Sequence, residues 1–284
     1  MKIARFVKDG KSTLGFVVDE EIIPFDALEG MPKWLEYPLE REENIRRLER
    51  KMDLSGIKGY PLKDVRLQSP LLYPGKIVCL GLNFKDHAKE QGKEPSNRLI
   101  IFMKPRTALT GPYDTVFVPK FVEKLDYEGE LAIVIGRRGK NVPAEGAERY
   151  ILGYTIMNDV SARDIQFGDR QWTRGKGLDG FAPIGPWIVT KDEIRDHRNL
   201  RIRTWLNEEL RQDGNTSNMV FDVPKIIEEL SRVMTLEPGD IISTGTPAGV
   251  GIFAKPEPKL IKDGDVVRIE IENIGFIENR FRFT

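Results

Sequence analysis

Apolar and polar positions alternate along this chain mostly with the two-residue period of strands, and only a few stretches carry a helical stripe. Residues 2–7 and 14–24 read as strands joined by the turn Lys8-Asp9-Gly10-Lys11, and a following helix carries Ile45, Leu48 and Met52 at helical spacing. Together they predict a small α+β N-terminal unit. Turn signals at Gly59-Tyr60-Pro61 and from Ser69-Pro70 to Pro74-Gly75 precede the apolar run Ile77 to Leu80, which places a boundary near residue 70 and divides the chain into 1–70 and 71–284. Strand-like runs then dominate: Leu99 to Met103, Leu131 to Ile135, Ile151 to Met157, Trp187 to Thr190, Leu200 to Leu206, Asp240 to Ser243, Val266 to Ile271 and Phe276 to Phe283. The clearest helix is Val223 to Met234, with Asp222 as N-cap, Pro224 in its first turn, and Ile226, Ile227, Leu230 and Val233 on one stripe. With no βα alternation, the fold class is mostly β with some α, not a doubly wound sheet.

Composition removes several function classes. The 284 residues carry 44 Lys and Arg against 44 Asp and Glu, so no basic excess advertises nucleic acid or an anionic membrane. No stretch is long and apolar enough to span a bilayer, and the N-terminal residues lack a signal-peptide apolar run. The single cysteine, Cys79, excludes an internal disulfide framework and fits a reducing cytoplasm. A small-molecule partner is the expectation.

Acidic residues inside apolar runs carry the chemistry. Glu128 and Glu130 in Asp-Tyr-Glu-Gly-Glu-Leu-Ala-Ile-Val-Ile point to one face of their strand, and Ala132 and Val134 continue that face into the interior. Asp159 sits at the end of a second apolar run. Carboxylates there either pair with Arg or Lys or converge on a cation; an all-oxygen set suits Mg²⁺ or Mn²⁺ and disfavours Zn²⁺. In Gly-Leu-Asn-Phe-Lys-Asp-His87-Ala-Lys-Glu90, a helix after Asn83 would put His87 and Glu90 at i, i+3, where the carboxylate orients the imidazole as a general base. His197, in Arg-Asp-His-Arg-Asn, reads as solvated loop. Arg163 and Gln166 follow Asp159 closely enough to reach a ligand held there, and Arg suits a carboxylate. Lys176 lies among glycines that let a loop come close, so its ammonium can meet an oxyanion. The segment from Ser243 to Gly251 offers the Thr246 hydroxyl and backbone N–H groups to an anion; it is not a Walker loop, and no nucleophile elbow or His-Glu-x-x-His occurs.

Taken in this order, the segments resemble the fumarylacetoacetate hydrolase superfamily from about Ile77 to the C-terminus. The resemblance implies a β-roll catalytic domain, a homodimer, Glu128, Glu130 and Asp159 as ligands of Mg²⁺ or Mn²⁺, His87 and Glu90 as a dyad, Lys176 as catalytic, and Arg163, Gln166 and Thr246 as contacts to a 2-oxo acid substrate. It further implies hydrolysis of a C–C bond in an acylpyruvate through a metal-stabilised pyruvate enolate. Oxaloacetate decarboxylation or tautomerisation, or diene-diacid isomerisation, would use the same site, and a non-catalytic 2-oxo-acid binder would leave the dyad idle. Departures from the superfamily pattern narrow this. Leu80 stands where fumarylacetoacetase itself has a further metal-ligating Asp, which argues against fumarylacetoacetate as substrate; Phe84 replaces the usual Tyr; and Asn207-Glu208 replaces an Asn-Gly hairpin turn.

Overall fold

In the computed structural model, which describes residues 1–28, 54, 56–169 and 171–284, the extended runs expected from alternation form strands with ends shifted by at most five residues, except that the expected strand 14–24 is divided by a turn at Asp19-Glu20, with Asp19 at φ 51°, into Lys11–Val18 and Glu21–Pro24. The helix expected around Ile45, Leu48 and Met52 lies outside the described residues. The principal sheet runs, in spatial order, through Tyr60–Pro61, Glu21–Pro24, Lys11–Val18, Lys2–Lys8, Ala182–Thr190, Ile151–Asn158, Gly129–Ile135, Ile241–Ser243, Ile77–Gly81 and Ile100–Lys104. Its pairings are antiparallel along this path except for Ile241–Ser243 beside Ile77–Gly81. The N-terminal hairpin joins through Lys2 opposite Val189 and Ile3 opposite Ile188, so the sheet is continuous across residue 70.

A second antiparallel group packs against this sheet: Glu209–Asn215, Arg201–Leu206, Val266–Ile271 and Gly275–Phe283, with Val116–Val118 added in parallel. The strand Gly129–Ile135 lies between two apolar layers. Leu131, Ile133 and Ile135 enter a core with Ile202, Ile269 and Leu230, while Ala132 and Val134 face Ile3, Phe16 and Ile77. Burial on both sides is why this strand reads as an unbroken apolar run beyond Glu130. The helix Val223–Val233 starts as expected, with the Asp222 carboxylate accepting from Lys225 N–H at 3.1 Å. In the Asn207-Glu208 turn only Asn207 has positive φ, 56°, whereas a type I′ turn needs it at both positions.

His197 departs from the solvated-loop expectation. It is buried, and its ring stacks on Tyr154 with centroids 5.8 Å apart and planes 21° from parallel. Aromatic packing supplies a cover that the charged flanks Asp196 and Arg198 conceal in the sequence. Burial, aided by Arg198, pushes its pKa below 6.5. The unfolded chain therefore takes up a proton that the folded chain refuses, and stability present above the unfolded value is lost as pH falls toward the folded one. Replacing His197 by Phe should keep the stack and remove this loss: melting temperatures of the two proteins, measured from about pH 7.5 down to about pH 5, should diverge with wild type falling faster below about 6.5.

Candidate active site

The site forms where the ends of the central strands meet three short segments. Glu128 precedes the strand Gly129–Ile135, Glu130 belongs to it, and Asp159 follows the strand Ile151–Asn158, whose Asn158 lies opposite Gly129. That register, with Asp159 N–H donating to Glu128 C=O at 2.9 Å, brings residues thirty apart in sequence side by side. One carboxylate oxygen from each of Glu128, Glu130 and Asp159 lies within 4.8 Å of the others, and all three residues are buried.

The surrounding charges settle how the two sequence readings divide. Lys176 Nζ is 2.8 Å from Glu128 Oε2 and 2.7 Å from Asp159 Oδ2. Arg163 Nη2 reaches Glu128 Oε1 at 2.6 Å and Asp126 Oδ2 at 2.9 Å, and Lys104 Nζ lies 2.7 Å from Asp159 Oδ1, off the hydrogen-bonding axis. Glu128 and Asp159 are thus ion-paired, and Glu130 has no ion pair among the described residues. Its Oε2 accepts from Ser243 Oγ and from Gly245 N–H at 3.1 Å, while Oε1 is buried with no hydrogen-bond partner. Among the described residues three cations face four carboxylates, counting Asp126, one positive charge fewer than the acids with every group ionised.

The protonation equilibria follow that imbalance. Burial, together with the charges of Asp159 and Glu128, pushes the Glu130 carboxyl well above the usual carboxylate range. Burial acts the same way on Glu128, but Lys176 and Arg163 overrule it and hold that carboxyl well below the range. Burial also lowers Lys104, against the pull of Asp159, whereas for Lys176 the charges of Asp159 and Glu128 outweigh burial and raise it. An unpartnered, buried oxygen on Glu130 beside two further carboxylate oxygens fits a hard divalent cation such as Mg²⁺ or Mn²⁺. The acidic triad can hold a metal.

The dyad is assembled as its spacing predicts. Lys85–Glu90 is a helix, and His87 Nδ1 lies 3.0 Å from Glu90 Oε2. His87, Arg163, Gln166, Lys176 and Thr246 all line one cavity of about 240 Å³ with Glu128 at its wall. That volume is below the usual range for drug-sized ligands and suits a small acid. Arg163 spends much of its fork on the protein, donating to Asp126 from Nε and to Gln166 Oε1 from Nη1, both at 2.9 Å. The Thr246 hydroxyl donates to Gly129 C=O and accepts from Gln212 Nε2. Lys176 ends a short helix, Trp172–Lys176, and does not stand in an open loop; a Cβ on Gly175 would lie 2.8 Å from Ala162 C=O, so the glycine does permit close approach.

Several participants left little trace in the sequence. The segment from Ser243 onward does bind anions through backbone N–H groups, but here they are the protein's own carboxylates: Gly245 holds Glu130, Gly249 holds Glu90 at 2.9 Å, and Gly251 and Ile252 hold Asp126. Gly249 has φ +105°, and a Cβ there would lie 2.1 Å from Arg211 C=O, so only glycine fits. Lys104 resembles a surface lysine at a strand end, yet its ammonium also donates to the carbonyls of Val160, Lys176 and Phe181. Only the placement of Asp126 two residues before Glu128 hinted at an anchor for Arg163.

The chain is similar in sequence and in fold to known proteins. Residues 76–282 match the family model described as fumarylacetoacetate (FAA) hydrolase C-terminal. A bovine (Bos taurus) mitochondrial oxaloacetate tautomerase is 42% identical over 262 residues, 91% of this chain and 83% of its own length. Among solved structures, 5-carboxymethyl-2-hydroxymuconate delta-isomerase from Mycobacterium smegmatis superposes with a TM-score of 0.81 at 36% identity, each chain covered completely. Maleylpyruvate hydrolase from Sphingobium sp. SYK-6, solved with manganese(II) and pyruvate, gives 0.80 at 34% identity, covering 100% of this chain and 99% of its own.

Exchanging Glu130 for Gln tests the cation site without catalysis. Because the folded pKa of Glu130 is raised, its contribution to stability is present below the unfolded value and lost as pH rises toward the folded one. Metal-free Glu130→Gln should therefore melt higher than metal-free wild type at pH 7 to 8 (about 7.5). Added Mn²⁺ should reverse the order, with affinity for the ion, measured by calorimetry, about 100-fold weaker in the variant.

Proposed function

Since this chain belongs to the fumarylacetoacetate hydrolase superfamily, we propose that it is a divalent-metal-dependent hydrolase that cleaves the C3–C4 bond of a short 2,4-dioxo acid of the acylpyruvate type. The observation that carries this reading is the oriented dyad: an imidazole held by a carboxylate on the wall of the same small cavity that Glu128, Arg163 and Lys176 line. Glu128, Glu130 and Asp159 would hold Mg²⁺ or Mn²⁺, which when bound supplies Lewis acidity toward the carboxylate and 2-oxo oxygens of the substrate.

The chain's own residues then have defined tasks. Arg163, Gln166 and Thr246 orient the substrate's C1 end. His87, held by Glu90, removes a proton from water, and the resulting hydroxide adds to the distal C4 ketone. Lys176 stabilises the oxyanion charge. The C3–C4 bond breaks, its electron pair passes to C3 as the enolate of pyruvate, and the distal fragment leaves as a carboxylic acid. Protonation at C3 completes pyruvate. Leu80, an apolar residue on the cavity wall, offers no ligand there and keeps the site distinct from that of fumarylacetoacetase.

A second reading, keto–enol tautomerisation of oxaloacetate, is favoured by the name of the bovine relative that matches 91% of the chain. It needs His87 only to carry a proton between C3 and oxygen, with no attacking water.

The deciding experiment compares pyruvate release from a series of acylpyruvates with loss of the oxaloacetate enol absorbance, in Mg²⁺, Mn²⁺ and chelator. The hydrolase reading expects pyruvate from at least one acylpyruvate, abolished by chelator and lowered about 10²- to 10⁴-fold in His87→Ala. Enol loss from oxaloacetate with no pyruvate from any acylpyruvate would transfer the assignment to the tautomerase.

A further inference from the structure

The end of the dyad helix carries two residues that the proposed reaction leaves unused. Gln91 Nε2 lies 2.9 Å from His87 Nε2, and Lys93 Nζ donates to Gln91 Oε1 at 3.0 Å. Both side chains line the cavity. Their backbone is held by a Schellman cap: Lys93 N–H donates to Ala88 C=O and Gly92 N–H to Lys89 C=O, with Gly92 at φ +66°. The backbone beneath the pair is thus fixed, although the Lys93 side chain itself is exposed.

Lysine has only donors, which removes the usual ambiguity of an amide. Because Lys93 must donate to Oε1, the NH₂ group of Gln91 faces His87 and donates as well. His87 Nε2 must then accept, so the ring proton resides on Nδ1 and is given to Glu90. The lone pair that would take a proton from water or from C3 is covered by Gln91. Lys93 itself is exposed and makes no ion pair among the described residues, although Lys176, Arg163 and Lys104 in the same site are all paired.

We infer that Gln91 is a positioning residue that caps the base, and that Lys93 releases the cap by binding the second carboxylate of a 2-oxo dicarboxylic acid. When an anion at the mouth takes the Lys93 ammonium, Oε1 loses its partner, the amide is free to swing away, and Nε2 opens onto the substrate. A monocarboxylate leaves the clasp closed. The inference rests on the reading of His87 as the base and deepens it by naming the substrate class: an acylpyruvate or other 2-oxo acid whose distal part carries a second carboxylate.

The test has one arm in turnover and one without it. In Mg²⁺-loaded enzyme, deuterium exchange at C3 is followed for oxaloacetate and for 2-oxobutyrate, which lacks the distal carboxylate. Lys93→Met should raise KM for oxaloacetate about tenfold, the loss of one charge-assisted hydrogen bond, and leave KM for 2-oxobutyrate unchanged while raising its kcat, because the amide has lost the group that holds it, with Lys93→Arg restoring both. Gln91→Ala should raise kcat for 2-oxobutyrate, a gain that structural damage does not produce. Equal KM changes for both substrates in Lys93→Met, or equal loss of kcat for both in Gln91→Ala, overturns the inference. The second arm uses ¹⁵N-histidine NMR, which is tractable because the chain has two histidines. An unprotonated His87 Nε2 whose resonance moves in both Gln91→Ala and Lys93→Met supports the clasp; an Nε2–H in wild type, or a resonance that neither substitution moves, overturns it. If wild type exchanges neither substrate, the proposed function fails and the NMR arm still decides the cap.

Discussion

Asp126, Glu128, Glu130 and Asp159 are all withdrawn from water in one region of the fold, and the elements around them are arranged by the cost of that burial. An ionised carboxylate taken into a protein interior costs several kcal/mol after relaxation, repaid only by close opposite charge and well-directed hydrogen bonds. Four such groups in adjacent positions would repel one another as well. Lys104, Lys176 and Arg163 meet this demand from three different segments, an edge strand, the end of the helix Trp172–Lys176 and the start of the helix Arg163–Asp169, so each segment is tied to the same point.

The turn from Ser243 to Ile252 is the second half of the solution. Its N–H groups reach Glu130, Glu90 and Asp126 within one stretch of chain. The loop thereby couples the acidic cluster to the dyad: Gly245 positions a proposed metal ligand and Gly249, four residues on, positions the carboxylate that orients His87. Asn83 closes the arrangement from the other side, donating to the carbonyls of Thr244 and Phe221 and accepting from Phe221 N–H, which anchors the start of the dyad helix. Phe84, which lacks the hydroxyl of a tyrosine, is completely buried beside this anchor, where an extra polar group would need a partner of its own.

Much of this was legible because burial imposes periodicity. The central strand showed itself as an apolar run carrying glutamates, the i, i+3 spacing of His87 and Glu90 specified their contact once the helix was granted, and Asp222 marked the start of its helix. Other features were silent because their meaning depends on what lies across space. Lys104 closes an apolar strand and Lys93 sits in a polar segment, but neither setting says that one ammonium is enclosed among carbonyls and the other exposed at the cavity mouth. His197 is flanked by charge and nonetheless stacks on Tyr154.

The sequence alone determined the strand-rich class, the family resemblance and the i, i+3 spacing of His87 and Glu90, and it marked Glu128, Glu130 and Asp159 as acids in apolar runs, since each is written in local spacing and residue type. Tertiary structure decided which carboxylates are paired with the protein's own cations and which, among the described residues, is not. It also decided that the glycine-rich turn serves the protein's own acids, and that the Gln91 amide lies against His87 Nε2. Electrostatic pairing and hydrogen-bond direction depend on distances between segments far apart in the chain, and these exist only once the sheet register and the short helices have brought those segments together.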